Sequence, residues 1–364
     1  MPPSLSVLDL SPIPAGSTVA DALRNTVDLA RAAERFGYRR YWLAEHHLNP
    51  GVAGAVPTLL MQAVAAATAD IRVGSGAVQT GHRTPLSVVE EFGTLDALYP
   101  GRIDLGLGRS GGTRDPRREN GHVEGRVVDG VVIPAPFTAR AALRSQRVKA
   151  QRELIRQPGA EAPGYTAVVD EVLGLLAGTH RASAGVAVHA VPGEGAGVET
   201  WVLGSSGGES AEVAGARGLP FAANYHVSPG TVLDAVEGYR AAFRPSATLD
   251  RPHVMVSADV VVARDAARAR ELAAGYAPWV HSIRSGAGAI PYPDPAAAAE
   301  AEWDPELVTD RLETQLVGDP AAVAERLAAL ARLTGADELL VTTITHDHAD
   351  RVESYRLLAA EWAA

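Results

Sequence analysis

The 364-residue sequence has no cysteine. That excludes a disulfide framework, a thiolate metal site, an iron–sulfur cluster and a cysteine nucleophile. Lysine is almost as scarce: of 33 basic residues only Lys149 is a lysine. No other position could form a Schiff base or make the lysine contact of a phosphate loop. The arginine and alanine bias reads as genome composition rather than function. Positive charge is in deficit overall, with a net charge of -10, which argues against a nucleic-acid surface as the main function. No apolar run reaches the roughly 18–20 residues that span a bilayer. Met1-Pro2-Pro3-Ser4 shows no basic stretch leading into an apolar one, so the expected location is the cytoplasm, away from membranes. What is present is 46% hydrophobic residues, enough for a sizeable core. At about 100–200 residues per domain, the length fits one large domain or two smaller ones.

The chain repeats a short apolar strand followed by a capped helix. Strand-like segments are Leu5–Leu10, Tyr38–Ala44, Ile71–Val78, Arg102–Gly108, Thr200–Leu203, Leu219–Asn224, His253–Ala263 and Glu338–Thr343. Thr18 and Asp21 form a capping box, and Thr84-Pro85 places an N-cap before a proline at the first helical position. Asp265 caps a predicted helix running to about Arg284, Asp319 caps one that stops at Gly335, and Asp347 caps the last. Strict alternation predicts a parallel sheet with helical crossovers, and eight units predict a closed (β/α)8 TIM barrel. A bare barrel takes about 250 residues, leaving roughly 110 for insertions in a single domain spanning residues 1–364. Two are visible, at about 110–164 and 285–318. The first carries ten basic and six acidic residues, a net +4 within an acidic chain. They read as solvated loops or as lids, the basic one facing an anionic ligand or a docking partner.

Four motifs carry chemistry. Glu45-His46-His47 follows the second strand, at the barrel face where catalysis sits. His46 can supply an acid or base near neutral pH. The pair could also begin a metal site with His346, Asp347 and His348. Adjacent histidines in an extended segment point apart, however, and His346 and His348 fit a capping or surface role better, so no metal is expected. Gly106-Leu107-Gly108-Arg109-Ser110-Gly111 matches a dinucleotide fingerprint, but the next residues, Gly112-Thr113-Arg114-Asp115-Pro116, cannot open a helix. It reads instead as a strand end whose backbone passes close to something flat, with an arginine at its tip. Gly204-Ser205-Ser206-Gly207-Gly208 matches a nucleophile elbow, with Asp347 and His348 in serine-acid-histidine order. It equally makes a phosphate cradle at a helix N-terminus, the reading that needs less. Val73-Gly74-Ser75-Gly76-Ala77-Val78 is a strand end of small residues, suited to barrel packing or to a planar ligand.

Together these segments resemble the bacterial luciferase-like flavin monooxygenase family. Leu8-Asp9-Leu10-Ser11-Pro12-Ile13, Tyr41–His47, Ile71–Val78, Pro100–Arg109, Leu203–Ser206 and Thr334–Leu339 carry the resemblance, which covers nearly the whole chain outside the insertions. It implies a (β/α)8 barrel that binds reduced FMN, supplied by a separate flavin reductase. It implies that O2 is activated as a C4a-peroxyflavin to oxidise a small or medium organic substrate. His46 takes the catalytic place beside the flavin. Ser75, Gly76 and Ala77 fall under the isoalloxazine, where the family often has a cis peptide. Arg109 matches the phosphate-contacting arginine, and Ser205, Ser206, Gly207 and Ser210 complete the phosphate cradle. Gly108 stands where some relatives place a reactive cysteine. A homodimer through helices flanking the early strands is also implied. The alternatives kept beside this reading are an F420-dependent oxidoreductase and a metal- or serine-dependent barrel hydrolase.

Overall fold

The computed structural model describes residues 2–109, 124–137, 145–155 and 164–364. The strands are β1 (Ser4–Asp9), β2 (Arg40–Leu43), β3 (Arg72–Ser75), β4 (Ile103–Gly108), β5 (Glu199–Gly204), β6 (Phe221–Asn224), β7 (Val254–Val262) and β8 (Glu338–Thr342). Each pairs in parallel with the next, and β8 closes on β1, with Leu5 opposite Leu339. The eight predicted strands therefore form a closed parallel barrel, as strict strand-helix alternation requires.

Burial on both faces explains the nearly continuous apolar strands. Along β8, Leu340 packs inward with Leu8, Trp42, Trp201, Ala222 and Met255. Its neighbours Leu339 and Val341 pack outward, with Val7, Tyr41 and Val256, against the helices. Trp42 and Trp201 meet edge to face inside the barrel, 5.2 Å between centroids. The barrel helices are α1 (Val19–Arg35), α2 (Pro57–Ala67), α3 (Pro85–Leu98), α4 (Tyr165–Leu176), α5 (Glu209–Ala216), α6 (Val232–Ala242), α7 (Pro320–Thr334) and α8 (His348–Trp362). The predicted caps are in place: Thr18 and Asp21 bond reciprocally, and Thr84, Asp319 and Asp347 each accept from a first-turn backbone N–H.

Two predicted elements are corrected. The segment read as one strand, Ile71–Val78, ends at Ser75; the Gly76–Ala77 peptide is cis, and Val78–Gln79 then pairs with β4. The helix expected from Asp265 to about Arg284 is two, Ala266–Leu272 and Tyr276–Arg284, separated by a turn over residues 273–275.

The insertions carry structure of their own. In the first, Arg126–Val128 and Val131–Ile133 form a hairpin whose Asp129-Gly130 turn has positive φ at both residues, the backbone such turns need. The second adds short helices Pro295–Glu300 and Thr309–Thr314, and Leu316–Gly318 pairs with the end of β7. The two insertions touch. Arg147, on helix Gln146–Ile155, donates to the carbonyls of Gly286 and Leu48, and Arg284 lies 3.8 Å over the Phe137 ring. Ser110 and the basic residues Arg114, Arg117, Arg118, Arg140, Arg144 and Arg156 lie outside the described residues.

Candidate functional site

A cavity of about 520 Å³ opens at the C-terminal ends of the strands. Residues at or beyond the C-terminal ends of β2, β3, β4 and β5 line it: His46, Gly76, Ala77, Gly108, Arg109, Ser205 and Ser206, with Ser210 from the first turn of α5. Segments far apart in sequence thus converge because all leave the same rim of the barrel. Leu8, Leu10, Ala44 and Leu203 make its middle apolar.

Ser75 and Gly207 stand outside the cavity lining, and the structure gives each another task. Ser75 is fully buried; its hydroxyl donates to the Gly106 carbonyl and accepts from the Gly106 N–H, both at 3.0 Å, stapling β3 to β4. A Cβ on Gly207 would sit 2.5 Å from the Asp234 carbonyl oxygen, so this glycine lets the turn before α5 pack on α6. Gly108 is equally constrained, since a Cβ there would lie 2.9 Å from the Ala77 Cβ. A cysteine at this strand end and the Ala77 methyl compete for one space.

The Glu45-His46-His47 segment divides as an extended backbone dictates. His46 faces the cavity, with Nδ1 buried and unpartnered. Burial, then the neighbouring His47 charge, pushes its pKa down to about 4, so it is a neutral imidazole at neutral pH. His47 turns away, and its Nε2 meets the buried Glu45 carboxylate at 2.8 Å. His82 Nε2 reaches the same oxygen at 3.0 Å, and Arg83 lies 3.5 Å from it. Burial alone would raise the Glu45 carboxyl, but hydrogen bonds from His82, the Gln79 N–H and His47, with the Arg83 charge, hold it below the usual range. Glu45, His47 and His82 have metal-ligand geometry, yet Arg83 beside the shared oxygen opposes a further cation. Gln79 ties the hub to the cavity: its N–H donates to Glu45 and its side chain to the Glu45 carbonyl.

Arg109 and α5 form the polar end. Gly208 at the N-cap offers no side chain, so no side-chain bond closes this helix start. The Thr231 hydroxyl donates to the Ser205 carbonyl, fixing the turn. Arg109 pairs with Glu209 at 3.1 Å, and Thr166 bonds the same carboxylate. An open helix N-terminus, three serines and an arginine suit an anion.

The hydrolase constellations do not assemble. His348 pairs with Asp28 at 2.9 Å, Asp347 caps α8, and His346 bonds the Ala15 carbonyl. Neither a triad for Ser205 or Ser206 nor a metal partner set for His46 results among the described residues.

Several cavity residues escaped the sequence reading. His226, just past β6, lines the cavity; its Nδ1 meets Ser257 Oγ at 2.5 Å, and burial pushes its pKa down to about 4. A lone histidine in Asn-Tyr-His-Val carries no spacing signal. Asp259 had one: it is the single charge in the apolar strand Val254–Val262. Arg311, which bonds it at 2.9 Å, is 52 positions away, in a segment read only as an insertion.

A closed parallel barrel with one rim cavity, apolar in its middle and polar at the α5 end, defines a (β/α)8-barrel protein with a ligand-sized site at the strand C-termini. Residues 4–338 match the family model described as luciferase-like monooxygenase, and the chain belongs to that family. It is similar to a protein named luciferase-like monooxygenase from Escherichia coli (strain K12), 36% identical over 97% of this chain and 95% of the other. It is also similar to the YvbT protein of Bacillus subtilis (strain 168), 38% identical over 98% and 96%. The solved structure of apo-MsnO8 superposes with a TM-score of 0.80 at 30% identity, covering 99% of this chain and 98% of that one.

Proposed function

We propose that this protein is an FMN-dependent monooxygenase that uses O2 and reduced FMN from a separate reductase to oxidise a small or medium organic substrate. One observation carries it: a single cavity joins an anion-binding end to an apolar bed beside a neutral histidine. Arg109, the α5 N-terminus and Ser205, Ser206 and Ser210 would hold the terminal phosphate. Gly76, Ala77, Leu8 and Ala44 would accept the flat ring, because only small or apolar groups allow close approach. When bound, reduced FMN would supply the O2 chemistry. His46, with its buried Nδ1 unpartnered among the described residues, can take or give a proton at that ring. The insertions, joined through Arg147 and the Arg284–Phe137 contact, would exclude water. A compact dianionic phosphate suits this end better than the extended tail of F420.

Ultrafiltration with FMN, reduced FMN and F420 tests the cofactor: retention of FMN in either form is expected, and retention of F420 alone overturns the assignment. For His46→Ala, FMN binding survives and turnover is lost; unchanged turnover removes its catalytic role. Exposed Leu59 on α2, and Leu86 and Leu98 on α3, support a homodimer through these two helices. Light scattering then reads two chains per particle and Leu59→Glu shifts it towards one, whereas a monomeric parent protein excludes the dimer.

A further inference from the structure

The cavity has a second polar wall, built from the ends of β6 and β7, the helix Tyr276–Arg284 and the second insertion, that holds no part of the phosphate end. Asp259 projects from β7. Arg311 Nη2 donates to Asp259 Oδ2 at 2.9 Å and to the Tyr276 hydroxyl at 2.6 Å, and the Tyr276 hydroxyl donates to the same Asp259 oxygen. This triangle balances one cation against one anion. It also leaves groups over. Arg311 Nε and Trp279 Nε1 are buried N–H donors without a partner among the described residues. Their residues are 8% and 4% exposed, and both line the cavity. Asp259 spends only Oδ2 on the triangle, leaving Oδ1. Buried donors are almost always satisfied in native proteins, so two on one cavity wall call for an acceptor that arrives with a ligand.

Charge decides what that ligand is. Arg311 is already neutralised by Asp259, so a carboxylate would leave the buried wall with an uncompensated negative charge. An ammonium would leave a positive one and face two N–H donors. A neutral carbonyl accepts from both donors, and an adjoining N–H uses the remaining carboxylate oxygen. Ile283 and Val227, also on the lining, offer apolar surface for the flanking carbons. We infer that Arg311, Trp279 and Asp259 form a subsite that anchors a neutral secondary amide of the substrate. The inference rests on the proposed function only in taking the cavity as one shared by cofactor and substrate.

The test uses the full chain, 15N-labelled, with and without FMN. The probes are N-butylacetamide, hexanoate and hexylammonium. The Trp279 indole N–H signal is identified by its loss in Trp279→Phe, which keeps an aromatic ring in place. N-Butylacetamide should shift that signal saturably, and bind at least tenfold more tightly than the two charged probes. Trp279→Phe and Arg311→Lys should each weaken it about fivefold or more, read by calorimetry because Trp279→Phe has no indole N–H; Trp279→Phe keeps the test decisive if Arg311→Lys fails to fold. Equal or tighter binding of hexanoate overturns the subsite. So does an indole signal that N-butylacetamide leaves unmoved, or one that FMN alone shifts and closes to the amide. FMN retention is read on the same samples: its absence with the amide response intact defeats the flavin reading alone, and the converse defeats the subsite alone.

Discussion

His46 and His226 stand on different strand ends and line one cavity, and a charge on His46 disfavours protonation of His226. Both are held neutral mainly by burial, with pKa values pushed down to about 4 from 6.5. Between those values the unfolded chain binds protons that the folded chain does not. Their linkage therefore costs nothing above pH 6.5 and withdraws stability as pH falls from 6.5 towards 4. The buried carboxylates of Asp9 and Glu338 lie below the usual carboxylate range, so their loss comes at lower pH. Urea unfolding should show stability falling across the histidine window, with a shallower fall in His46→Gln and His226→Gln; equal slopes in all three proteins would refute the neutral pair. Arg109 acts at the same scale. A charge-assisted contact contributes about 1.5–3 kcal/mol, but Arg109 is partly exposed and must leave Glu209 to meet a phosphate. Arg109→Ala should therefore weaken FMN only about tenfold by calorimetry, the low end of that range. Unaltered affinity would remove Arg109 from the cradle.

At the scale of elements, local chemistry was legible and packing was not. Caps such as Thr84 and Asp319 could be read because they act within one turn, and strands because both faces demand apolar residues. The Asp129-Gly130 hairpin also carries its signal, two valine pairs around an Asp-Gly turn, although the surrounding segment reads as a loop. Ser75 and Gly207 were legible as small residues near a ligand, but their partners, Gly106 and Asp234, come from neighbouring elements that sequence spacing does not reveal. Asp259 and Arg311 illustrate the same limit, for only the closed barrel brings β7 and the second insertion together. The end of β4 makes this testable. A side chain on Gly108 meets the Ala77 methyl, so Gly108→Cys overpacks the strand end and should cost about 1–3 kcal/mol. Ala77→Gly in the same chain should restore much of that loss. A thermal midpoint that Gly108→Cys leaves unchanged would show that the cysteine-free strand end is not set by this contact.

At the scale of the whole molecule, the end of the barrel opposite the cavity is closed by charge rather than by apolar packing. Arg40, 1% exposed, reaches Asp104 at 2.8 Å, Glu338 at 3.0 Å and Glu199 at 3.0 Å. Arg72 and the Trp42 indole N–H also bond Asp104, and the Ser6 hydroxyl donates to Glu338. One guanidinium thus links β2, β4, β5 and β8, strands that are not all neighbours. Burial works against the Arg40 charge, but three carboxylates hold its pKa above the usual value. Removing one partner from such a cluster strands buried charge of the other sign and typically costs about 3–5 kcal/mol. Arg40→Ala is therefore expected to lower stability by about that amount, while Arg40→Met paired with Asp104→Asn should recover part of it by removing charges of both signs. The cavity lies at the other rim, so FMN retention per folded molecule should stay unchanged in both variants. Denaturant unfolding and ultrafiltration on the same samples separate the two effects. A loss of FMN binding without a loss of stability would mean that the cluster shapes the cavity and does more than plug the barrel.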